Sequence, residues 1–167
     1  MTTQADHQEI GALVHRLFQA LDAREFTSGW ARPYFTEDAR METPIGADRG
    51  AAAVRAAEVA LGRFDRTQHM ASGIIVEPRG ESGEDSEHGA TARWNALMVH
   101  VHPEAVLKER GPDAAPLFTV GGVYEADLRR TPDGWRFSRM AVRAVWTDGQ
   151  PPQLMAPGAE GRPAAGV

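Results

Sequence analysis

The chain begins with a helical repeat of hydrophobic positions. Apolar residues recur at spacings of three and one from residue 10 to residue 21, which places them on one face of a helix: Ile10, Leu13, Val14, Leu17, Phe18 and Leu21. Asp6 is a predicted N-cap for this helix, and Asp22 lies one turn beyond Phe18, near the predicted helix end. A short second helix is predicted around residues 26–30, and an alanine-rich third helix over residues 51–63.

The later part of the chain has the pattern of strands. A short strand is predicted at 38–44, and longer ones at 67–77, 90–102, 117–129 and 135–147. A polar, glycine-rich loop (RGESGEDSEHG) follows the first long strand, and a turn (RTPDG) precedes the last. Helices grouped before antiparallel strands indicate an α+β fold. We predict one domain over residues 1–149 and a Pro/Gly/Ala-rich tail over residues 150–167.

The strand at 90–102 is apolar on both faces. Trp94, Ala96 and Met98 lie on one face, and Leu97 and Val99 on the other. Such a strand is expected to be covered on both sides. The helices would cover one side of the sheet, and a second subunit is a candidate for the other.

Composition narrows the class of protein. The chain has 167 residues, a net charge of −5 and no cysteine. An acidic chain without basic clusters argues against a nucleic-acid or anionic-membrane partner. The lack of cysteine excludes disulfides, thiolate zinc sites and a cysteine nucleophile. No apolar run is long enough for a membrane span, and the first ten residues do not have the pattern of a signal peptide, so we expect a cytoplasmic protein.

Three polar residues lie in or beside apolar segments: Asp22, His69 and His100. Each has an ordinary structural explanation, as a core histidine or as an exposed carboxylate at a helix end. His100 and His102 form a His-x-His pair, a spacing found in metal sites, but no further ligand follows at the expected distance. We therefore predict no metal, and we expect His102 to lie in solvent.

The order of these residues adds a resemblance. The marks are Leu21-Asp22 at the end of the first helix, Thr67-Gln68-His69 at a strand start, and His100 in the next strand; Gly134-Trp135 and the run at 142–147 complete them. Over about residues 10–149 the chain resembles SnoaL-like members of the nuclear transport factor 2-like superfamily, in the branch near scytalone dehydratase and bile-acid 7α-dehydratase. The resemblance implies a cone-shaped, curved antiparallel sheet with three N-terminal helices packed on it around a pocket.

The resemblance also implies roles for site residues. Asp22 would pair with one of the two histidines, either His100 or His69, and His69 would act on the substrate directly or through a water. Arg143 matches an arginine of the bile-acid enzyme and would stabilise an oxyanion. No metal or cofactor is implied.

The chain departs from these dehydratases in several positions. The tyrosine that precedes the catalytic aspartate is absent, and Leu17 and Leu21 occupy that region. Tyr34 and Tyr124 are candidates for its hydroxyl role. The pocket is expected to be more apolar than in either relative, with Phe35 and these residues as substrate-binding lining: Leu17, Trp30, Tyr34, Met41, Trp94, Met98, Phe118 and Tyr124.

Two classes of function remain open. The first is a cofactor-free acid/base enzyme, a dehydratase, isomerase or cyclase, acting on a hydrophobic, polycyclic molecule such as a polyketide, terpenoid or steroid-like intermediate. The alternative is a small-molecule binding or protein-interaction module of the same fold. Epoxide hydrolysis ranks below both, because the Asp–Arg–Asp set of a sister branch is missing. The family also implies a homo-oligomer, a dimer or a trimer.

Overall fold

The computed structural model describes residues 3–44, 46–79 and 89–152, and these residues form three helices and six strands. In chain order the elements are α1 (Gln4–Ala23), β1 (Phe35–Thr43), β2 (Gly46–Arg49), α2 (Ala51–Leu61), β3 (Arg66–Pro78), β4 (Gly89–Val101), α3 (Glu104–Arg110), β5 (Leu117–Thr131) and β6 (Gly134–Gly149). The strands form one curved, open sheet in the order β2-β1-β6-β5-β4-β3. The predicted α+β class and curved sheet with helices against it are confirmed.

The helices differ from the prediction in position. Residues 28–34 form turns instead of the predicted helix at 26–30, with Gly29 at a φ of 81° that favours glycine. The third helix is α3, between β4 and β5, so the helices are not all N-terminal. None of the α3 residues is buried, and a helix of seven residues without a buried face shows no clear apolar periodicity.

The sheet also holds a strand and a pairing that the sequence pattern did not indicate. All four residues of β2 are exposed, so no alternation marks this strand. Strand β1 pairs antiparallel with β2 and parallel with β6, where Met41 lies opposite Met140. The sheet is therefore mixed, although its four long strands form an antiparallel set.

Helix α1 is fixed at its start by Asp6. The N-cap is Thr3, whereas the sequence analysis had predicted Asp6. The Asp6 carboxylate accepts a hydrogen bond from the Thr3 backbone N–H at 2.7 Å and completes a capping box. It also accepts from Trp135 Nε1 at 3.0 Å and pairs with Arg130, which ties α1 to the β5–β6 hairpin. The hydrogen bond from the Thr3 backbone is the largest cause that lowers the pKa of Asp6, to about 2.

The core lies between α1 and the inner face of the sheet. The apolar stripe of α1 is buried, as predicted, against Trp94, Leu128 and Phe137, which are all at most 1% exposed. The outer-face residues of β4 are half-buried or exposed. A bulge in β3 between Ser72 and Ile75, with Gly73 at a φ of 61°, bends the strand. Among the described helices, none has the length and apolar content that a membrane crossing requires.

Two predicted segments, the glycine-rich loop and the C-terminal tail, lie mostly outside the described residues. Of the glycine-rich loop at 79–89, positions 80–88 are not described, and of the tail at 150–167 only 150–152 are. The strands on either side of that loop extend to Pro78 and from Gly89.

Candidate active site

Asp22 and His69 form a hydrogen-bonded dyad. Asp22 lies in the last turn of α1, and His69 lies on the inner face of β3. The His69 Nδ1 atom is 2.6 Å from Asp22 Oδ1, and the His69 backbone N–H donates to Asp22 Oδ2 at 2.8 Å. Both carboxylate oxygens therefore hold the same histidine. Of the two candidate histidines, His69 is therefore the one that pairs with Asp22.

Thr67 is a third member of this arrangement, and we did not predict it. Its hydroxyl donates to Asp22 Oδ1 at 2.8 Å. Thr67 and His69 are two residues apart in β3, so both side chains lie on the inner face of the sheet. This i, i+2 spacing was visible in the sequence, but it indicated an Asp22 partner only once α1 had been placed against β3.

Asp22 is ionised at neutral pH. Burial of the carboxyl would raise its pKa, but the hydrogen bonds from the His69 side chain, the His69 backbone and Thr67 hold the pKa below its usual range. Because the carboxylate only accepts, the neutral His69 ring carries its proton on Nδ1. Nε2 is then the basic nitrogen, on a side chain that is 4% exposed and lines a cavity.

His100 lies beside the dyad on β4. Its ring is 5.7 Å from that of His69 between centroids and nearly perpendicular to it. The Phe118 carbonyl oxygen lies 3.0 Å from His100 Nδ1, so this nitrogen is the donor. Burial is the main cause that lowers the pKa of His100, and the nearby His69 acts in the same direction. The ring is therefore neutral near pH 7, and its Nε2 accepts hydrogen bonds.

His69 lies on the wall of an apolar cavity of about 190 Å³, and Asp22 is not among the residues that line it. We call it the dyad cavity; His69, His100, Glu42 and Thr43 are the polar residues along it. The remaining lining residues come from α1, from α2, from the turns at 28–34 and from the sheet: Leu17, Phe18, Leu21, Trp30, Phe35, Met41, Val54, Ala57, Ala60, Leu61, Met98, Tyr124, Met140 and Val142. The apolar character of the predicted pocket thus agrees with the structure.

Most of the predicted lining residues reach this cavity. Leu17, Trp30, Met41, Met98 and Tyr124 line it, as does Phe35. The Tyr124 hydroxyl donates to the Met98 sulfur at 3.3 Å, and burial raises the pKa of Tyr124. Tyr124 is therefore a neutral phenol with a partner inside the protein.

Three predicted lining residues lie elsewhere. Trp94 is 1% exposed and stacks on Tyr124 at 5.1 Å in the core, one layer below the cavity. The Phe118 ring packs beside the His100 ring, with 5.8 Å between their centroids, and the Tyr34 ring beside that of Trp30, with 6.3 Å. Neither Phe118 nor Tyr34 lines the cavity. None of the three lines the dyad cavity, because apolar character alone does not distinguish a cavity wall from the layer behind it.

The structure does not bring Arg143 to the dyad. Val142 lines the dyad cavity, so its neighbour Arg143 lies on the opposite, outer face of β6, where it is exposed beside Val123. The predicted oxyanion role of Arg143 therefore has no geometric basis here.

His102 is buried, and our expectation that it lies in solvent was wrong. It is 3% exposed, and its Nε2 contacts the Gln150 carbonyl at 2.8 Å. Arg110, on α3, lies over the same segment and donates to the Pro151 carbonyl at 2.8 Å. The segment after β6, which sequence analysis treated as the start of a tail, covers this histidine. Within the described ranges, no group of three or more candidate ligands is arranged to hold a metal ion.

Comparison with known proteins identifies the family and the fold. The model of a SnoaL-like domain family matches residues 2–141. No curated protein matches the chain by sequence. Among solved structures, a protein from Novosphingobium aromaticivorans that bears the provisional name scytalone dehydratase is 20% identical, with a TM-score of 0.70, and 96% of each chain is covered.

Two further solved structures share the fold. The hexachlorocyclohexane dehydrochlorinase LinA-type3 from Novosphingobium barchaimii is 17% identical, with a TM-score of 0.67, and the match covers 92% of this chain and 96% of that one. A nuclear transport factor 2-like superfamily protein from Salmonella enterica is 16% identical, with a TM-score of 0.67, and the match covers 96% and 100%. At these identities the likeness concerns the fold.

Proposed function

The chain belongs to the SnoaL-like domain family, with the nuclear transport factor 2-like fold, and from this premise we propose that it is an acid/base enzyme of the dehydratase or isomerase type acting on a small hydrophobic molecule. The observation that carries the proposal is the Asp22–His69 dyad, with 2.6 Å between Oδ1 and Nδ1 and with His69 on the wall of an apolar cavity. A binding module needs the cavity but has no use for a buried, oriented base.

His69 is the proposed general base. Its Nε2 takes a proton from a carbon next to an electron-withdrawing group, and the Asp22 carboxylate stabilises the imidazolium that forms. In an elimination, the released electron pair forms the double bond, and the leaving group departs with a proton returned from His69 Nε2. In an isomerisation, His69 returns the same proton to a different carbon.

His100 is the proposed partner for a substrate hydroxyl. Because its Nδ1 donates to the Phe118 carbonyl, its Nε2 accepts from the substrate. The perpendicular rings of His69 and His100 place the base and this acceptor within one small molecule's reach. A cyclisation that begins with the loss of a proton from carbon would use the same base, so dehydratase, isomerase and cyclase activities all remain compatible with the dyad.

An assay for one product class tests this proposal. Cyclic β-hydroxyketones lose water to give conjugated enones, and β,γ-unsaturated ketones isomerise to them, so absorbance of the enone reports both reactions. We expect the wild type to convert members of a panel of one-ring and two-ring ketones, and His69→Gln to give no rate above buffer. His15→Gln is the matched control, because His15 is exposed on α1.

The alternatives give different results in this assay. Equal rates for wild type and His69→Gln would contradict the dyad as the base. Binding of the panel ketones without conversion of any of them would favour the binding module over the enzyme.

We also propose that the outer sheet face is the contact between copies of this chain. One row across four strands is apolar or without a side chain: Met70, Leu97, Gly121 and Trp146 lie opposite one another in register. Met70 and Trp146 are 43% and 50% exposed. Some of the charges elsewhere on this face pair within the chain, as in Arg139 with Glu42 at 2.8 Å. The apolar row is a continuous part of this face that gains from burial.

Sedimentation velocity tests this contact. We expect the wild type to sediment as a dimer or a trimer, and Leu97→Glu to sediment as a monomer, because a charge in the row is desolvated by the partner. Ile75→Glu is the control, since Ile75 lies on the same face opposite Arg93, outside the row. A monomeric wild type would overturn the proposal.

A further inference from the structure

A second cavity adjoins the dyad cavity. It measures about 160 Å³ and is lined by Met41, Thr43, Gly46, Asp48, Ala53, Ala56, Ala57 and Ala60. We call it the alanine cavity. Four of these residues, Met41, Thr43, Ala57 and Ala60, also line the dyad cavity. The two cavities therefore share these four residues as a common wall.

The size of the dyad cavity limits what it can hold by itself. An apolar cavity of about 150 Å³ accommodates benzene, and sites for larger ligands measure about 300–1,000 Å³. With about 190 Å³, the dyad cavity fits one ring with a short substituent. The polycyclic substrate expected from the sequence does not fit unless the space continues elsewhere.

The wall between the cavities is easily displaced at Met41. Methionine is unbranched and flexible, so its side chain can change rotamer without a shift of the backbone. The other two apolar members, Ala57 and Ala60, have no rotamers and leave space on both sides of α2. Helix α2 is held near both of its ends: the Gly50 N–H donates to the Ala39 carbonyl at 2.8 Å, and Trp30 Nε1 donates to Glu58 at 2.8 Å. Met41 is therefore the movable part of the wall.

We propose that the alanine cavity is a subsite for the distal part of the ligand. The ligand class is an elongated amphiphile, with a ring and a hydroxyl at His69 and His100, and a narrow apolar tail that passes Met41 and lies under α2. The proposal rests on the proposed function for the position of the ring, and on the shared wall for the path of the tail. Ala53 and Ala56 set the tail length, because they line the alanine cavity and not the dyad cavity.

A series of 4-alkylphenols, from 4-ethylphenol to 4-hexylphenol, tests this subsite by isothermal titration calorimetry. In the wild type each added methylene is expected to tighten binding about threefold to fourfold along the whole series, as for a chain that enters an apolar space. In Ala53→Leu the ethyl compound is expected to bind within about twofold of wild type, and the hexyl compound at least about tenfold more weakly, because the new side chain occupies the space of the tail.

Two other variants secure the interpretation. Ala56→Leu is expected to shorten the alkyl chain that the subsite accepts in the same way. It replaces Ala53→Leu in the titrations if that variant, at a site that is 3% exposed, does not fold. Ala52→Leu is the control, since Ala52 is exposed on the same helix and lines neither cavity; it is expected to match wild type.

The outcomes against the subsite are distinct from those against the enzyme. A wild-type affinity that stops rising after the ethyl compound, no binding of any member, or variants at 53 and 56 with an unchanged dependence on chain length would each overturn the subsite. A length dependence that the leucine variants shorten, found together with a failed enone assay, would retain the subsite and remove the catalytic proposal.

Discussion

Asparagine in place of Asp22 is expected to lower kcat/KM by about 10²–10⁴-fold with little change in folding. The amide retains the shape of the carboxylate but loses the charge that stabilises the His69 imidazolium. Its NH₂ group can also turn towards Nδ1 and favour the tautomer with the proton on Nε2, where the base is needed. Steady-state kinetics on the best ketone of the enone panel measures the effect.

Two controls separate this role from a structural one. Thr67→Val removes one hydrogen bond to Asp22 Oδ1 and leaves the charge in place, so a smaller loss is expected. The hydrogen bonds that lower the pKa of Asp22 keep it ionised well below neutral pH, so Asp22 is not expected to titrate in the neutral range of the wild-type pH–rate profile. Activity of Asp22→Asn within about threefold of wild type would show that the carboxylate is not part of the mechanism.

Truncation of Phe137 to alanine is expected to lower the free energy of unfolding by about 3–5 kcal/mol. Phe137 is 0% exposed and lies 5.8 Å from the Phe35 ring and 6.1 Å from the Trp94 ring. It is also the residue opposite Phe35 where β1 pairs with β6. The cavity left by the ring would therefore weaken both the core and the parallel pairing that closes one side of the dyad cavity.

Urea denaturation followed by circular dichroism measures this change. Val145→Ala is the control, since Val145 is 58% exposed and its truncation is expected to change the free energy of unfolding by less than about 0.5 kcal/mol. A loss of less than about 1 kcal/mol for Phe137→Ala would mean that the core collapses around the missing ring.

Local patterns in the sequence predicted the elements that bury a regular apolar face. Helix α1 and the four long strands follow from periods of 3.6 and 2, and each strand lies within a few residues of its predicted bounds. Elements without a buried face, β2 and α3, left no such pattern. The candidate residues Asp22, His69 and His100 came from their order within a resemblance to a family, because their local contexts fit ordinary structural roles as well.

Contacts between distant residues were decided by the tertiary structure. Asp22 and His69 are 47 residues apart, and they meet because α1 packs on β3 with the inner face of that strand towards the helix end. Strand register placed Val142 in the cavity and Arg143 outside, and it placed Trp94 in the layer below. The segment after β6 buried His102. A sequence period says that neighbouring side chains alternate between two faces. Which face becomes the site depends on what packs against it, and that is a property of the whole fold.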